Sequence, residues 1–337
     1  MKGWKEVKIS DLGKVVTGNT PPRKSPELYG SHTIFIKPTD ISEGQKYTYN
    51  PEECYSDLGF KKYKNSLIPK GSTCVVTIGS IGKKMTKAHC DCFINQAVNA
   101  VIPNDDYDEE FVFYVLKYNL NQLKMLDSGT ASGRENVSKS SFSSIKVIVP
   151  IEKSTQVKIG SILSAYDDLI ENNLKRIKLL EELAQRTYEE WFVKFRVNGE
   201  ALAIDEETGL PKGWERKKIG EMVQVGRGSS PRPIADRIYF EGGTIPWLKI
   251  ADATASNIFI FRTKETVNDY GASFSRLLKP GSLIVAASGT LGFPMFLSVE
   301  ACIHDGWIYF EGIPNDLKEY FYYSLIKLKD YFEAIAF

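Results

Sequence analysis

The stretch PKGWERKKIGEM at residues 211–222 repeats the opening of the chain, MKGWKEVKISDL at residues 1–12. Gly213-Trp214 matches Gly3-Trp4 in this alignment, and Ile219 matches Ile9. A repeat with a period of about 210 residues indicates duplicated domains and not a solenoid. The sequence therefore predicts two copies of one domain, the second beginning near residue 212.

The similarity continues in the same order along both halves. Residues 18–21 (GNTP) align with 228–231 (GSSP), and the glycine-containing loop 79–82 aligns with 289–292. Glycine and proline recur where turns are needed, whereas the segments between these anchors differ freely. A shared scaffold with different loops is expected of two modules that recognise different ligands.

Hydrophobic patterns predict strands and a few helices in each copy. The predicted strands span residues 33–37, 73–78, 93–102 and 145–149 in the first copy, and 244–250, 283–287 and 303–310 in the second. A helix is predicted over 109–126, with its equivalent over 317–334.

A long helix is predicted between the two copies, over residues 154–195. Apolar residues recur in steps of three and four for more than four heptads, which is typical of a coiled coil. About 40 residues at 1.5 Å each make a rod of roughly 60 Å. The seam consists of Ile159, Leu163, Tyr166, Ile170, Asn173, Ile177, Leu180, Ala184 and Trp191.

Asn173 has two interpretations on this seam. A buried Asn fixes the register against a partner helix, whereas a tolerated polar residue or a misphased heptad has no such role. The apolar face needs a partner in either case, and the sequence contains no second helix of this kind. We therefore expect another subunit to dock along this helix, or the chain to self-associate.

These patterns together predict an α+β fold, in which a long coiled-coil spacer helix joins two similar mixed β-rich domains. The predicted boundaries are 1–150 for the first domain, 151–196 for the spacer, 197–212 for a linker and 213–337 for the second domain.

The composition excludes several functional classes. The chain has 337 residues and a net charge of only +1. If it binds nucleic acid, it must do so through local basic patches. No apolar segment is long enough for a membrane span or a signal peptide, which predicts a cytoplasmic protein. Five cysteines predict reduced thiols, and no metal site is predicted because the sequence His89-Cys90-Asp91-Cys92 lacks a second ligand pair.

Two similar modules on a rigid rod suit a regular polymer such as duplex DNA, which repeats every ~34 Å. Each module is then expected to recognise one half-site. Because the loops of the two copies differ, the predicted target is double-stranded DNA with two unlike halves and an unrecognised gap between them.

Several segments, taken in order, resemble the specificity (S) subunits of type I restriction–modification systems. They are the two openings around Trp4 and Trp214, the GNTP and GSSP loops, the segment 145–150 leading into Gln156, and the end of the spacer at Trp191. The resemblance covers the whole chain. It implies two target recognition domains, a spacer that docks methyltransferase (M) subunits, and recruitment of the restriction (R) subunit. S-adenosylmethionine, ATP and Mg²⁺ are then expected on those partner subunits, with no cofactor on this chain.

The chain also departs from the family pattern. Thr155-Gln156 stands where the family usually has Glu-Gln. Phe337 aligns with about Ser128, so the second copy lacks a counterpart of residues 129–150 and of the spacer helix. We therefore expect a truncated S subunit.

Candidate DNA contacts lie in the loops, because base recognition needs fixed donors and acceptors while phosphate contacts need cations, hydroxyls or backbone amides. They are Thr20, Arg23, Lys24, Lys37, Thr77, Ser80, Lys83, Arg134 and Asn136 in the first copy, and Arg227, Ser229, Arg232, Arg237, Lys249, Ser288 and Thr290 in the second. For each charged residue the alternative is an ordinary solvated surface charge.

Two other functional classes compete with DNA recognition, an enzyme and an adaptor. A fused methyltransferase or nuclease is disfavoured, because Asn19-Thr20-Pro21-Pro22 has the wrong spacing for an adenine methyltransferase motif and no phosphate-binding loop is present. A duplicated adaptor that binds protein or glycan remains as the alternative, with aromatic residues such as Trp247 and Trp307 as its contacts. DNA binding that weakens steeply with salt would distinguish recognition of DNA from this adaptor role.

Overall fold

The computed structural model describes residues 3–126, 135–253, 257–288 and 292–335, without the side chains of residues 330, 333 and 335. The chain divides into two compact units, Met1–Lys178 and Leu179–Phe337, and the boundary falls inside a long helix. No helix among the described residues is both long and apolar enough to cross a bilayer.

The first unit contains short strands and a few helices. Its strands are β1 (Trp4–Lys8), β2 (Gly13–Thr17), β3 (Tyr29–Gly30), β4 (Thr33–Ile36), β5 (Glu53–Tyr55), β6 (Thr73–Val76), β7 (Met85–Lys87), β8 (Phe93–Ile94), β9 (Val98–Pro103) and β10 (Lys146–Pro150). Its helices are α1 (Ile9–Leu12), α2 (Asp57–Tyr63), α3 (Glu109–Asn119), α4 (Lys139–Ser144) and the first part of α5 (Lys153–Tyr188).

The strands of the first unit pair in two four-stranded arrangements and one ribbon. Their orders are β2-β9-β6-β7, β3-β5-β4-β8 and β1-β10. Strands β4 and β8 run parallel, with Phe35 opposite Phe93. The main core packs apolar residues of β6 and β9, such as Val75 and Val101, against α3, where Phe113 is fully buried.

The second unit repeats this architecture. Its strands are β11 (Arg196–Val197), β12 (Glu200–Ala201), β13 (Gln224–Arg227), β14 (Ile245–Leu248), β15 (Phe259–Ile260), β16 (Glu265–Val267), β17 (Arg276–Leu278), β18 (Leu283–Ala286), β19 (Pro294–Leu297), β20 (Ala301–Ile303) and β21 (Trp307–Glu311). Its helices are α6 (Ile219–Met222), α7 (Ile250–Ala253), α8 (Asp269–Ala272), α9 (Lys318–Lys327) and α10 (Lys329–Ile335).

The strand orders of the second unit match the central parts of those of the first, and the differences lie at the sheet edges. The order β13-β21-β18-β19 corresponds to β2-β9-β6-β7, with β15 added at the edge, and β16-β14-β20 corresponds to β5-β4-β8, with β17 added beside β20. Here β14 and β20 run parallel, with Trp247 opposite Cys302, as Phe35 lies opposite Phe93 in the first unit. The α+β fold and the duplication predicted from the sequence are therefore confirmed.

The predicted spacer helix is present as α5, and it continues as a π-helical turn over Glu189–Val193. Most of the predicted seam is exposed to solvent: Leu163, Tyr166, Ile170, Asn173, Ile177, Leu180 and Trp191. Ile159 is different, because it packs against the core of the first unit. Ala184 is half-buried. Pairing with a partner helix stays a prediction.

The first turns of α5 contact the first unit through buried polar groups. Gln156 is 1% exposed and accepts a hydrogen bond from the backbone N–H of Asp108 at 3.1 Å. The fully buried ammonium group of Lys46 donates to Ser164 Oγ of α5 at 2.6 Å and lies 2.9 Å from Glu110 Oε2 of α3. The start of α5 is thus held against α3.

The last turn of α5 belongs to the second unit and packs on α9, the equivalent of α3. The hydroxyl groups of Tyr188 and Ser324 lie 3.0 Å apart, and the Tyr188 ring stacks on Tyr323 with 5.8 Å between centroids. Lys327 Nζ lies 3.6 Å from Glu189 Oε1 in the following turn. Each unit therefore uses the same helix of its fold to hold one end of the spacer.

Some predicted elements were too long. The strand predicted over 93–102 is two strands separated by a turn at 95–97, and the one predicted over 303–310 is likewise broken at 304–306. The helix predicted over 109–126 continues beyond Asn119 as 3-10 turns, and the one over 317–334 divides into α9 and α10. The linker at 197–212 contains the β11–β12 ribbon.

Candidate nucleic-acid interface

The turn at residues 95–97, here called the β8–β9 turn, projects a polar side chain from the point where the parallel strand β8 ends. Asn95 Oδ1 accepts a hydrogen bond from Ala97 N at 3.1 Å, and Asn95 O accepts one from Val98 N at 3.1 Å. Asparagine stabilises turns in this way because its side chain replaces a backbone acceptor. Gln96, the central residue, is exposed.

Three loops meet around the β8–β9 turn. The Thr20 hydroxyl donates a hydrogen bond to Gln96 Oε1. Lys37, Ser80 and Gln96 line one open cavity of about 560 Å³. This arrangement places an amide, hydroxyl groups and an ammonium group at one surface, which are the groups that contact base edges and phosphates.

The cations at this surface are held by carboxylates. Lys37 Nζ is 2.9 Å from Glu52 Oε2 and 3.2 Å from Glu53 Oε2, and the Arg23 guanidinium also pairs with Glu53. Burial opposes the charged form of Lys37, but the hydrogen bonds to both glutamates outweigh burial and raise its pKa. The hydrogen bond from Arg23, with help from Lys37, lowers the pKa of Glu53. Both pairs are therefore ionised at neutral pH and fix the two cations in place.

The second unit has the same turn at residues 304–306, here called the β20–β21 turn. His304 Nδ1 accepts a hydrogen bond from Gly306 N at 2.9 Å, and His304 O accepts one from Trp307 N at 3.1 Å. Burial lowers the pKa of His304, and this outweighs the opposing effect of Asp305. Although Asp305 Oδ1 lies 2.9 Å from Nδ1, the neutral ring is the form that can accept from Gly306.

Different side chains surround the second turn. The Arg232 guanidinium pairs with the Asp305 carboxylate, and Arg227 Nε donates to Asp305 O at 2.7 Å. Ser229 N donates to the carbonyl of Ile303 at 3.2 Å, directly before the turn. A neutral amide at the first turn is thus replaced by an arginine–aspartate pair at the second.

An aspartate at matched positions shapes the loop beside each turn. Asp40 accepts hydrogen bonds from the backbone N–H groups of Lys37 at 2.7 Å and Glu52 at 3.1 Å. Asp252 accepts from Lys249 N at 3.0 Å and Lys264 N at 3.0 Å. The lysine side chain of each loop then pairs with a glutamate, which is Glu265 at 2.6 Å from Lys249 Nζ in the second unit.

Comparison with known proteins identifies the family. A model described as the type I restriction modification DNA specificity domain matches residues 1–182 and 211–337. The chain belongs to this specificity family. The two matched ranges contain the β8–β9 turn and the β20–β21 turn, so each specificity domain carries one of the two surfaces described above.

Two curated relatives carry names from the same family. The MjaIX specificity subunit of Methanocaldococcus jannaschii is 30% identical over 253 residues, which cover 74% of this chain and 58% of the relative. The HindI specificity subunit of Haemophilus influenzae is 28% identical over 185 residues, which cover 53% of this chain and 39% of the relative. The chain therefore spans only about two fifths to three fifths of these relatives.

A solved structure supports the fold. The S subunit of a type I restriction-modification system from M. genitalium aligns over 98% of this chain and 78% of its own, with a TM-score of 0.62 and 16% identity. The similarity of architecture therefore extends through both specificity domains.

The structure brings together many of the predicted contact residues. Around the two turns lie Thr20, Arg23, Lys37 and Ser80 of the first specificity domain, and Arg227, Ser229, Arg232, Lys249 and Ser288 of the second. Asn136 pairs with Ile78 in an isolated bridge and so lies beside the loop that contains Ser80.

Other predicted residues lie elsewhere. Lys24, Lys83 and Arg237 are exposed, but no contact places them at either turn. Thr77 is only 1% exposed, and its hydroxyl accepts a hydrogen bond from Asn99 Nδ2 at 2.8 Å inside the domain, so the structure does not place it at the surface. Arg134 and Thr290 fall outside the described residues.

Sequence reasoning missed the residues at the centres of the two surfaces. The largely apolar segments FINQAVNAVI and IHDGWIYF predict continuous strands, with Gln96 and Asp305 inside them. The available signal was Asn95, a turn-forming residue within a strand-like run. Among the described residues, no group of three or more His, Cys, Asp or Glu side chains is arranged to hold a metal ion.

Asp40→Ala is expected to lower the local stability of the first surface by about 2 kcal/mol, because two backbone N–H groups lose a charged acceptor. Hydrogen exchange of the β4 and β5 amides measures this loss. Asp40→Asn keeps an acceptor oxygen and should recover about half of the stability. Equal losses in both variants would show that the acceptor is not what shapes the loop.

Proposed function

We propose that this chain is a non-catalytic DNA specificity subunit that recognises an asymmetric target with two separate halves. The observation that carries the proposal is the repeated turn, which has one backbone design in both domains but a different central side chain, exposed in Gln96 and half-buried in Asp305. Gln96 occupies the centre of the first turn, and Asp305, paired with Arg232, occupies the centre of the second. Membership of the specificity family supports DNA as the ligand.

The chemistry of each turn suits a different base pair. A glutamine amide both donates and accepts, and so can form two hydrogen bonds with adenine in the major groove. Arginine suits the two acceptors of guanine, and a carboxylate suits the amino group of cytosine. We therefore propose an A·T pair opposite Gln96 and a G·C pair opposite Arg232 and Asp305.

Few cations are left to neutralise phosphates at the first surface. Arg23 and Lys37 are balanced by Glu53 and Glu52, whereas Lys24 and Lys83 are exposed elsewhere on the first domain, in the loops that also contain Arg23 and Ser80. Phosphate contacts in the first domain are therefore assigned to Lys24 and Lys83. The neutral amide of Gln96 would contact a base and would not neutralise a phosphate.

Partner subunits complete the proposed activity. The names of the relatives call them subunits of type I restriction enzymes. The exposed apolar residues of α5, such as Ile162, Tyr166, Leu169 and Ile170, offer a docking face for methyltransferase subunits, to which the restriction subunit is then recruited. S-adenosylmethionine, ATP and Mg²⁺ would be bound by those partners.

The affinity for a labelled duplex pool is expected to fall linearly on a log–log plot against salt, with a slope of about −0.9 per phosphate contact. Lys83→Ala should reduce the slope by about 0.9 if Lys83 contacts a phosphate. Gln96→Ala is the matched control and should leave the slope unchanged. Binding that is absent, or that does not respond to salt, would favour the adaptor role instead.

A further inference from the structure

The β8–β9 turn and the β20–β21 turn are held by side chains of different chemistry, and only one of these side chains titrates near neutral pH. Asn95 Oδ1 accepts from Ala97 N at 3.1 Å in the first turn. An amide does not ionise in this range, so this bond does not depend on pH. His304 Nδ1 accepts from Gly306 N at 2.9 Å in the second turn. An imidazole accepts only while it is neutral, so the second bond depends on the protonation of one ring.

A second contact lies at the same nitrogen of His304. Asp305 Oδ1 is 2.9 Å from Nδ1, which is hydrogen-bonding distance. The Gly306 N–H needs Nδ1 as an acceptor, whereas the Asp305 carboxylate, which is itself an acceptor, needs a proton on Nδ1. The two contacts require opposite states of one atom, and protonation of the ring exchanges one for the other.

Gly306 is buried, and this makes the exchange consequential for the turn. A buried N–H that loses its acceptor destabilises the local structure, because water does not replace the lost partner. The backbone at Gly306 must therefore shift when the ring becomes charged. Asp305 lies between His304 and Gly306 in the chain, so the same shift moves the central side chain of the turn.

The charged groups that act on the His304 ring set the pH at which this happens. They are Asp305 of the turn itself, Arg227 of β13, Arg232 in the loop after β13, and Lys249 after β14. Burial lowers the pKa of His304, Asp305 opposes this, and the three cations lower the pKa further. The ring is therefore neutral at neutral pH and takes up its proton below the ordinary histidine value of about 6.5. Because the unfolded chain binds this proton more readily than the turn does, the turn loses stability as the pH falls.

Protonation also changes what the Asp305 carboxylate can accept. Its Oδ2 atom is paired with the Arg232 guanidinium, and its Oδ1 atom faces His304 Nδ1. While the ring is neutral, Oδ1 is available to a donor such as the amino group of cytosine. Once the ring is charged, each oxygen of Asp305 is held by a cation, and the carboxylate is a weaker acceptor for a base.

We propose that His304 is a positioning residue whose protonation switches the β20–β21 turn between two hydrogen-bond arrangements, so that the second specificity domain discriminates bases only while the ring is neutral. The statement about bases rests on the proposed function, whereas the switch belongs to the turn itself. The first turn consists of Asn95, Gln96 and Ala97, which do not titrate, and so the first domain keeps its base preference when the pH falls.

The test selects bound duplexes from a random pool with the full chain at about pH 7.5 and at about pH 5, on either side of the transition. Base preference in the second half-site should fall about fivefold or more at the lower pH, which corresponds to the loss of a base contact. Preference in the first half-site should stay the same and serves as an internal control. The glutamate that holds Arg23 and Lys37 stays ionised there, because its pKa is lowered.

Variants of the ring separate the switch from a merely structural role. His304→Asn keeps a side-chain acceptor, as Asn95 does in the first turn, and should retain the second half-site preference at both pH values. His304→Leu removes the acceptor and should relax this preference at both. His89→Asn is the matched control, since His89 lies in the other domain and should leave the pH dependence unchanged.

A measurement without DNA tests the turn directly. The chain has three histidines, so isotopic labelling of their ring nitrogens gives a simple NMR spectrum in which His304→Asn identifies one ring. The His304 ring should protonate below about pH 6.5, and the Gly306 amide resonance should shift with the same midpoint. A Gly306 resonance that does not follow the ring, or a pH dependence that persists in His304→Asn, would overturn the proposal. A chain that binds no duplex would instead refute the proposed function, while the Gly306 resonance would still decide the switch.

Discussion

Glu110→Gln is expected to lower the free energy of unfolding of the first unit by about 3–5 kcal/mol, because it leaves two buried lysines without their shared carboxylate. Lys46 Nζ lies 2.9 Å from Glu110 Oε2, and Lys87 Nζ lies 2.6 Å from Glu110 Oε1. The side chains of Lys46 and Lys87 are 0% and 2% exposed. Hydrogen exchange of the α3 amides in increasing urea measures the loss.

Glu109→Gln is the matched control for this variant. Glu109 also pairs with Lys87, at 3.0 Å, but its side chain is 53% exposed. Water screens the half-exposed Glu109 carboxylate, and Lys87 keeps Glu110 at 2.6 Å in this variant, so the control should lose much less stability than Glu110→Gln. Replacing Lys46 and Lys87 with Met together with Glu110→Leu should restore much of the stability, because no buried charge is then left unpaired. Equal losses in the two single variants would refute this account.

Gln96→Ala is expected to relax base preference in one half of the DNA target and to leave the other half intact. The loss of a two-bond contact to a base costs about 1–3 kcal/mol, which is roughly 5- to 150-fold in discrimination. Selection of bound duplexes from a random pool, followed by sequencing, gives the preference at every position.

Arg232→Ala provides the reciprocal experiment in the second domain. It should relax the half-site that Gln96→Ala leaves unchanged, since Arg232 lies at the other turn. Lys24→Ala should weaken binding to all sequences alike, because a phosphate contact carries no base preference. Relaxation of the same positions by Gln96→Ala and Arg232→Ala would contradict the assignment of one half-site to each domain.

The duplication and the spacer could be predicted from the sequence because both depend on local and repeated patterns. Trp4 and Trp214 mark equivalent openings, and the heptads from Ile159 to Leu180 predict α5. These signals need no knowledge of distant contacts, since turn residues and apolar periodicity act over a few positions.

The centres of the two surfaces depend on contacts that are distant in the sequence. The turn at Asn95 divides a largely apolar run because β8 pairs with β4 in one sheet while β9 pairs with β6 in another. Lys46 shows the reverse error. It stands in a polar segment and so is expected to be a solvated lysine, but it is buried against Glu110 and Ser164. No local sequence pattern reveals that Glu110 or Ser164 will contact Lys46.

The construction of the β8–β9 turn also bears on how such chains diversify. Position 95 needs only a side-chain acceptor, which the amide of Asn95 and the imidazole of His304 supply equally well. The next position, Gln96 or Asp305, belongs to no strand or helix, and the two copies carry different side chains there on the same kind of turn. Under the proposed assignment, substitution of this one residue is expected to change the preferred base while the backbone hydrogen bonds of the turn persist, so a new specificity would need no change in the scaffold.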